Sequence, residues 1–451
     1  MIHAYKLGGY NIVLDIYSGA IHSVDEVAFD AICMLEHEGV EEVSELLKKK
    51  HRDLADSDIT ELFEDIEGLK KKGKLFYPDN YAPNHKGRRH SVKALCMNVS
   101  HACNMRCSYC FAGRGEYGGD EGLMSLETGK RAVDFLIENS DGRKNLDIDF
   151  FGGEPLLNWD VVKGIVSYAR ERENPGKKFR FTLTTNGVLI DDEVISYANR
   201  EMHNIVLSLD GRGEVNDRHR RLMDDTGSYD TVLPKLKQTV EARRGKGYYI
   251  RGTYTGQNPD FANDILHIAD LGFKEISLEP VVTKPGEPLG FTKDDLPELF
   301  RQYEILAIEM LRRKKLDRGF NFYHYNLDLT GGPCVHKRIA GCGVGTEYLA
   351  VTPGGKLYPC HQFVGNESFI MGDVWRGIIN KKLQDEFGSL NIYTRSECVD
   401  CWARLYCSGG CAANAFNDTG KISGVYETGC QLFKKRLECA IMMKVADDFK
   451  T

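Results

Sequence analysis

The chain has no run of eighteen or more apolar residues, and no apolar segment of signal-peptide type follows Met1. Neither a membrane span nor export is therefore expected, and a soluble cytoplasmic protein is predicted. Positive charge is not in excess either: 59 Lys and Arg stand against 66 Asp and Glu, a net charge of -7. Broad nucleic-acid binding wants a basic face, and this balance opposes it. The runs Lys48-Lys49-Lys50 and Lys70-Lys71-Lys72 read instead as solvated helix ends, where cations complement the helix dipole. A hydrophobic fraction of 42% in 451 residues is ample for a packed interior and too long for a single core. Roughly two to four domains follow.

Cysteine is plentiful, yet its pattern excludes a secreted disulfide scaffold, because such scaffolds are small and this chain is not. The 14 cysteines gather at 103 to 110, 334 to 360 and 398 to 430, which points to separate metal centres in a reducing compartment. Cys33, Cys96 and Cys439 lie in helix-like or strand-like apolar runs and read as core. The first group, Ser100-His101-Ala102-Cys103-Asn104-Met105-Arg106-Cys107-Ser108-Tyr109-Cys110-Phe111, spaces three thiols as C-x3-C-x2-C. A short loop turns all three sulfurs toward one point, and soft thiolates favour zinc, copper or iron-sulfur centres. Four protein ligands would close a site, whereas three leave a position for something else to bind and react. A zinc knuckle recruiting two of these thiols is the competing reading; merely buried cysteines would scatter rather than cluster.

Residues 1 to 80 read as a self-contained unit. Tyr10 to Asp15 alternates as a strand, Tyr17-Ser18-Gly19-Ala20 turns the chain, and Ile21-His22 returns it. Ser23-Val24-Asp25-Glu26 has the form of a capping box opening a helix from Val27 to His37, with Gly39 expected beyond its end. Two more helices are predicted near Val40 to Lys49 and Ile59 to Lys72. Strands followed by three helices make a winged-helix-like module. The region 81 to 90, with Pro83, Asn84 and Gly87, reads as a linker.

From 91 to 290, strands alternate with amphipathic helices: Val92 to Val99, Leu146 to Phe151, Phe179 to Thr184, Ile205 to Leu209, Tyr248 to Tyr254 and Glu275 to Pro280. Alternation of this kind predicts an α/β domain, a parallel sheet curled as a barrel or part of one, with reactive groups at the carboxyl ends of its strands. Phe151-Gly152-Gly153-Glu154-Pro155 ends one strand, where Glu154 can accept from an ammonium and glycines admit close approach of a ligand. Thr184-Thr185-Asn186-Gly187 and Ser208-Leu209-Asp210-Gly211 end the next two, and Asp217-Arg218-His219-Arg220 follows. A bridge spans 291 to 333, its body a helix from Leu296 to Arg313; Tyr323 and His324 beyond it read as packing or surface residues.

The cysteine loop with Tyr109, the Gly-Gly-Glu-Pro turn and the later strand ends resemble radical S-adenosylmethionine (radical SAM) enzymes. That resemblance implies a partial (β/α)6 TIM-like barrel in which Cys103, Cys107 and Cys110 hold a 4Fe-4S cluster whose fourth iron is chelated by SAM. It further implies SAM contacts from Tyr109, Gly152, Gly153, Glu154, Ser208 and Arg220, the last preferred over Arg218 and Arg221. In residues 334 to 451, Cys342-x12-Gly355-x4-Cys360 precedes Cys398-x2-Cys401-x5-Cys407-x3-Cys411 and Cys430. This series resembles the SPASM extension of the same family, where Cys398, Cys401, Cys407 and Cys430 would enclose one auxiliary 4Fe-4S cluster. Cys342, Cys360 and Cys411 would hold another. Seven thiols for two clusters leave one position: either Cys334 supplies it, or an iron is open to an external thiolate, and the open site is preferred.

The front resembles the PqqD-like element that clamps the leader of a precursor peptide by strand addition. A DNA-binding winged helix competes, against an acidic chain and an acidic third helix, and a structural cap is the plain alternative. The whole resembles maturases of SCIFF precursor peptides, of the sactipeptide or ranthipeptide class. The implied activity is installation of thioether crosslinks in a Cys-rich precursor peptide through a 5′-deoxyadenosyl radical, with an electron donor such as flavodoxin or ferredoxin as second partner. Sulfatase-maturase-like oxidation of a protein residue is the competing enzyme reading, and a zinc-bound winged-helix DNA-binding regulator is the reading of another class.

Overall fold

The structure, a computed structural model, describes residues 1–82, 90–113, 115–119, 122–329 and 335–448, the side chains of residues 335–337 excepted. It opens with a three-stranded antiparallel sheet of β1 (Ile2–Leu7), β2 (Tyr10–Asp15) and β3 (Ile21–Val24), followed by α1 (Glu26–Met34), α2 (Val40–Lys50) and α3 (Asp56–Lys71). These helices close over Val13, Ala31, Val43, Leu47 and Ile66, a small core of their own. A fully buried Val or Leu contributes about 1.5–3 kcal/mol, so a handful suffices to hold the unit together.

Two expectations for this unit change. The cap of α1 is Asp25, which accepts from the Ala28 N–H at 2.8 Å, and not Ser23. Gly39 does not end α1; its backbone is extended at φ -79° and it starts α2. The first strand went unanticipated because Ile2–Leu7 mixes His, Tyr and Lys among its apolar residues.

The middle of the chain is built from β4 (Ala94–Ser100), β5 (Met105–Cys107), α4 (Leu126–Glu138), β6 (Asn145–Gly152), α5 (Trp159–Glu171), β7 (Lys178–Thr185), α6 (Asp192–Glu201) and β8 (Asn204–Ser208). It continues through α7 (Gly213–His219), β9 (Arg220–Leu222), α8 (Tyr229–Arg243), β10 (Gly247–Tyr254), α9 (Phe261–Asp270) and β11 (Glu275–Pro280). Strands β4, β6, β7, β8, β10 and β11 pair in parallel in that order, six strands with helical crossovers.

Along these strands burial alternates with the period of two that a pleated sheet requires. Leu146, Ile148, Phe150, Phe179, Phe181, Leu183, Ile205, Leu207 and Ile250 are buried in the core. Their neighbours Asp147, Arg180, Ser208 and Arg251 take the other face and retain exposure. The face turned away from the packed core, the lumen side of the expected barrel, is therefore polar.

The last third adds α10 (Leu296–Lys315), β12 (Asn321–Phe322), α11 (Val335–Ala340), β13 (Tyr348–Val351), β14 (Lys356–Tyr358), β15 (Gly372–Asp373), β16 (Gly377–Ile378), α12 (Lys381–Ser389), α13 (Arg404–Cys407), α14 (Ala412–Thr419) and α15 (Glu427–Asp448). Strand β13 pairs in parallel with β4, and β14 to β16 follow antiparallel, so one eleven-stranded sheet runs from β12 to β16. The sheet stays open among the described residues, with β12 and β16 as its two edges. No helix among the described residues is long and apolar enough to cross a membrane. Most of the proposed linker, and Cys334, lie outside the described residues.

Candidate functional site

The cysteine loop leaves β4 at Ser100, whose hydroxyl donates to the Ala102 carbonyl at 3.0 Å and tightens the turn. It then forms β5, which pairs antiparallel with β9 so that Cys107 lies opposite Arg220. Ser108 N–H donates to the His219 carbonyl at 2.9 Å, fastening the loop to the far side of the barrel mouth. The sequence signal for this ribbon is faint, since each strand is three residues long.

Gly152 and Gly153 make a close approach within the chain itself. A Cβ on Gly152 would stand 2.2 Å from the Ser100 carbonyl oxygen, and one on Gly153 would stand 2.1 Å from that of Ala102. Gly152 also has φ +129°, which an L side chain rarely adopts. The backbone they admit is that of the cysteine loop itself, and Gly153 and Glu154 N–H groups donate to those same carbonyls at 2.8 and 2.9 Å.

Glu154 is fully buried. One carboxylate oxygen accepts from Leu156 N–H at 3.0 Å and Thr185 hydroxyl at 2.8 Å, the other from Asn186 N–H at 2.8 Å. Burial pushes it up to about 7, against these three bonds and the more distant Arg220 charge. Asn186 side-chain N–H donates to Asn104 at 2.8 Å, so the end of β7 also reaches the cysteine loop.

On the opposite side, Tyr109 hydroxyl donates to Asp210 at 2.7 Å, and Arg220 donates to the Tyr109 oxygen at 3.1 Å. Asp210 is buried beyond β8 and accepts from Thr253 N–H at 3.0 Å. Burial raises its pKa, opposed by Arg220 and by the Tyr109 bond. Of the three arginines weighed, Arg220 alone is buried; Arg218 and Arg221 reach the Gln257 carbonyl and Asp225 from exposed positions. Ser208 is half-buried on the lumen wall in register with Arg251, and the polar group of this strand end that joins Tyr109 is Asp210.

The thiols form three neighbourhoods. Cys103 lies within electrostatic reach of Cys107 and Cys110, and burial pushes Cys103 up to about 12 and Cys107 to about 11. Cys430, near the start of α15, is within reach of Cys407, Cys398 and Cys401, and burial pushes it up to about 12. Cys360 is within reach of Cys411 and Cys342. Among the described residues no three His, Cys, Asp or Glu side chains stand close enough to hold a single ion. The donor chemistry fits an iron-sulfur cluster, whose inorganic sulfides let its thiolate ligands stand farther apart than one ion allows. Glu154, buried against neutral donors, fits an ammonium group of the kind SAM carries.

The small N-terminal sheet has two edges with different surroundings. Strand β1 lies against α15: Tyr5 hydroxyl donates to the Glu438 carbonyl at 2.9 Å, and the His3 ring stacks on Trp402 with centroids 3.5 Å apart. Strand β3 borders a groove of about 1130 Å³, lined by Ile21, His22, Ser23, Lys72, Arg338 and Tyr406 among others.

Residues 97–272 match the Radical SAM superfamily. The chain is 22% identical over 432 residues to the radical SAM cyclopropyl synthase TigE of Paramaledivibacter caminithermalis, covering 87% of this chain and 85% of that protein. It is 23% identical over 357 residues to the serine-type anaerobic sulfatase-maturating enzyme of Klebsiella aerogenes, covering 74% and 83%. Among solved structures, anSMEcpe with bound AdoMet and Kp18Cys peptide superposes with a TM-score of 0.64 at 18% identity over 79% of this chain and 99% of that one. Streptococcus suis SuiB bound to S-adenosylmethionine gives 0.54 at 17%, over 95% and 98%. The α/β architecture of the barrel, with its large parallel-rich sheet, is shared with both structures.

Proposed function

We propose that this chain, whose residues 97–272 match the Radical SAM superfamily, is a peptide maturase that installs thioether crosslinks between cysteine sulfur and carbon in a Cys-rich precursor peptide. The observation that carries the reading is the convergence at one barrel mouth of three soft thiols, a buried carboxylate and a buried arginine that is tied through Tyr109 to Asp210. Cys103, Cys107 and Cys110 would hold a 4Fe-4S cluster, with Glu154 facing the amino group of SAM and Arg220 its carboxylate. The tail sets, Cys398, Cys401, Cys407 and Cys430, and Cys342, Cys360 and Cys411, would hold two auxiliary clusters. When bound, cluster and SAM supply one-electron chemistry that removes a hydrogen atom from an unactivated carbon.

The chain's own residues orient and shield that chemistry. Gly152 and Gly153 let the β6 turn press against the cysteine loop. Tyr109, Asp210 and Arg220 brace the loop from the other side. Cys342 and Cys411 are both exposed, so a cluster held by them would be open to a substrate thiolate.

The PqqD-like reading of residues 1 to 80 rests on the two sheet edges. Strand β1 is covered by the C-terminal helix, while β3 borders the groove, so a leader would add as a strand on β3 and tether the peptide core near the lumen. Similarity to the sulfatase-maturating enzymes favours a second reading, oxidation of a residue without a crosslink. Both lose two hydrogens, so the test is anaerobic reaction with a candidate Cys-rich precursor, read by tandem mass spectrometry. Fragments that locate a joined cysteine and carbon support the maturase; a free oxidised residue overturns it in favour of the second reading. A zinc-bound regulator predicts a colourless protein without iron or sulfide, which elemental analysis of anaerobically purified protein decides.

A further inference from the structure

On the lumen wall away from the cysteine loop, Arg251 of β10 and Glu279 of β11 form an ion pair at 3.3 Å. Their side chains remain 53% and 43% exposed, although both strands are packed with buried residues on their other face. The pair therefore lies on the polar face of the sheet, turned away from its packed side and accessible to a ligand. Arg251 lies in register with Ser208 on one side and Ser277 on the other. Ser277 hydroxyl and His324 share a hydrogen bond of 3.2 Å, and His324 stands 3.7 Å from Glu279, so the residue read from sequence as packing or surface belongs to this wall. Burial pushes His324 down to about 3, which leaves its ring neutral.

An aromatic group adjoins the pair. The His361 ring, which feels the charges of Arg251 and Glu279, lies 5.1 Å from Phe151 and 5.6 Å from Phe111, the residue that follows Cys110. Phe111 is 48% exposed. This face thus offers a donor and an acceptor side by side, near an apolar surface adjoining the reactive loop. A charged ligand would be attracted by one head of the pair and repelled by the other. An amide group matches both, with a carbonyl to accept from guanidinium and an N–H to donate to carboxylate.

We propose that Arg251 and Glu279 form a binding subsite for one main-chain amide of the substrate polypeptide, with the adjoining side chain laid against Phe111 and Phe151. The proposal rests on the maturase reading and supplies the contact that would hold the reacting residue in place once the leader has docked. Arg436, whose charge also acts on Glu279, adds a second cation to this end of the lumen and makes an acidic side chain the competing occupant.

The probe is N-acetylcysteine N-methylamide, with anaerobically reconstituted, SAM-loaded protein and ligand-observed NMR as readout. Wild-type protein is expected to bind it, and N-methylacetamide is expected to displace it. Arg251→Gln and Glu279→Gln, each with wild-type iron content, are expected to weaken binding by about tenfold, as for loss of one hydrogen bond to a charged group. Unchanged affinity in both variants would overturn the proposal. So would displacement of the probe by acetate but not by N-methylacetamide, which would assign the site to an acidic group. The two readings fail separately. Wild-type protein that binds the probe yet never modifies a precursor sinks the maturase and leaves the subsite standing. Wild-type crosslinking with an unchanged KM in both variants does the reverse.

Discussion

Arg404 of α13 donates to Asp79 at 2.9 Å, joining the chain between cysteines 401 and 407 to the segment that follows the N-terminal unit. Arg404 is 4% exposed and its guanidinium also reaches the Tyr17 hydroxyl and lies 5.4 Å from the Tyr393 ring. Tyr393 hydroxyl donates to the same Asp79 at 3.1 Å, and Tyr81 hydroxyl donates to the Tyr17 carbonyl at 2.8 Å. The N-terminal unit is therefore seated on the cysteine-bearing tail through a buried charge, and not hung from a free tether.

Removing one partner of a buried pair leaves the other charge uncompensated. Asp79→Ala is expected to lower stability by about 3 kcal/mol, measured by anaerobic urea unfolding of the full chain. Deletion of residues 1 to 77 removes Tyr17 and the His3 ring that stacks on Trp402. The truncated protein is accordingly expected to bind less iron than the full chain; equal iron and sulfide content would show that the tail holds its form alone.

Cys107→Ala is expected to abolish reductive cleavage of SAM and to lower iron content, since Cys107 lies half-buried on the ribbon opposite Arg220. Cleavage assayed under dithionite by liberation of 5′-deoxyadenosine decides it, and retained cleavage refutes the cluster assignment.

With Glu154 facing the SAM amino group as proposed, SAM binding is expected to depend on pH. The Glu154 carboxyl is raised to about 7 in the free protein, chiefly by burial, so below that pH it holds a proton. An ammonium partner favours the ionised form and expels the proton on binding. Affinity for SAM is therefore expected to rise with pH up to about 7 and to level off above it. Glu154→Gln is expected to flatten this profile and to weaken binding at pH 8 by about tenfold, read by anaerobic calorimetry. A flat wild-type profile counts against the assigned contact.

Tyr109→Phe removes the donor to buried Asp210 and the acceptor for Arg220, and is expected to cost about 1–3 kcal/mol. Arg218→Ala, at an exposed position, is expected to change stability by no more than about 0.5 kcal/mol. Parallel urea melts compare them, and equal effects would remove the distinction drawn between the buried and exposed groups.

What the chain determines by itself is whatever depends on local spacing. The thiols at 103, 107 and 110, the period-two alternation of Leu146 to Phe151, and the helices from Val40 and Leu296 are all short-range patterns. Local hydrogen bonding and burial express such patterns wherever they occur. Tertiary structure alone decided which strand-end groups meet. Ser208 and Asp210 stand two residues apart, yet only pairing of β8 with β10 and of β5 with β9 brings Asp210 to Tyr109 and leaves Ser208 beside Arg251. It also decided that Gly152 and Gly153 make room for the cysteine loop, and that His324 stands beside Glu279. These contacts join residues tens to hundreds of positions apart, and they exist only once the sheet has curled and set its strand ends side by side.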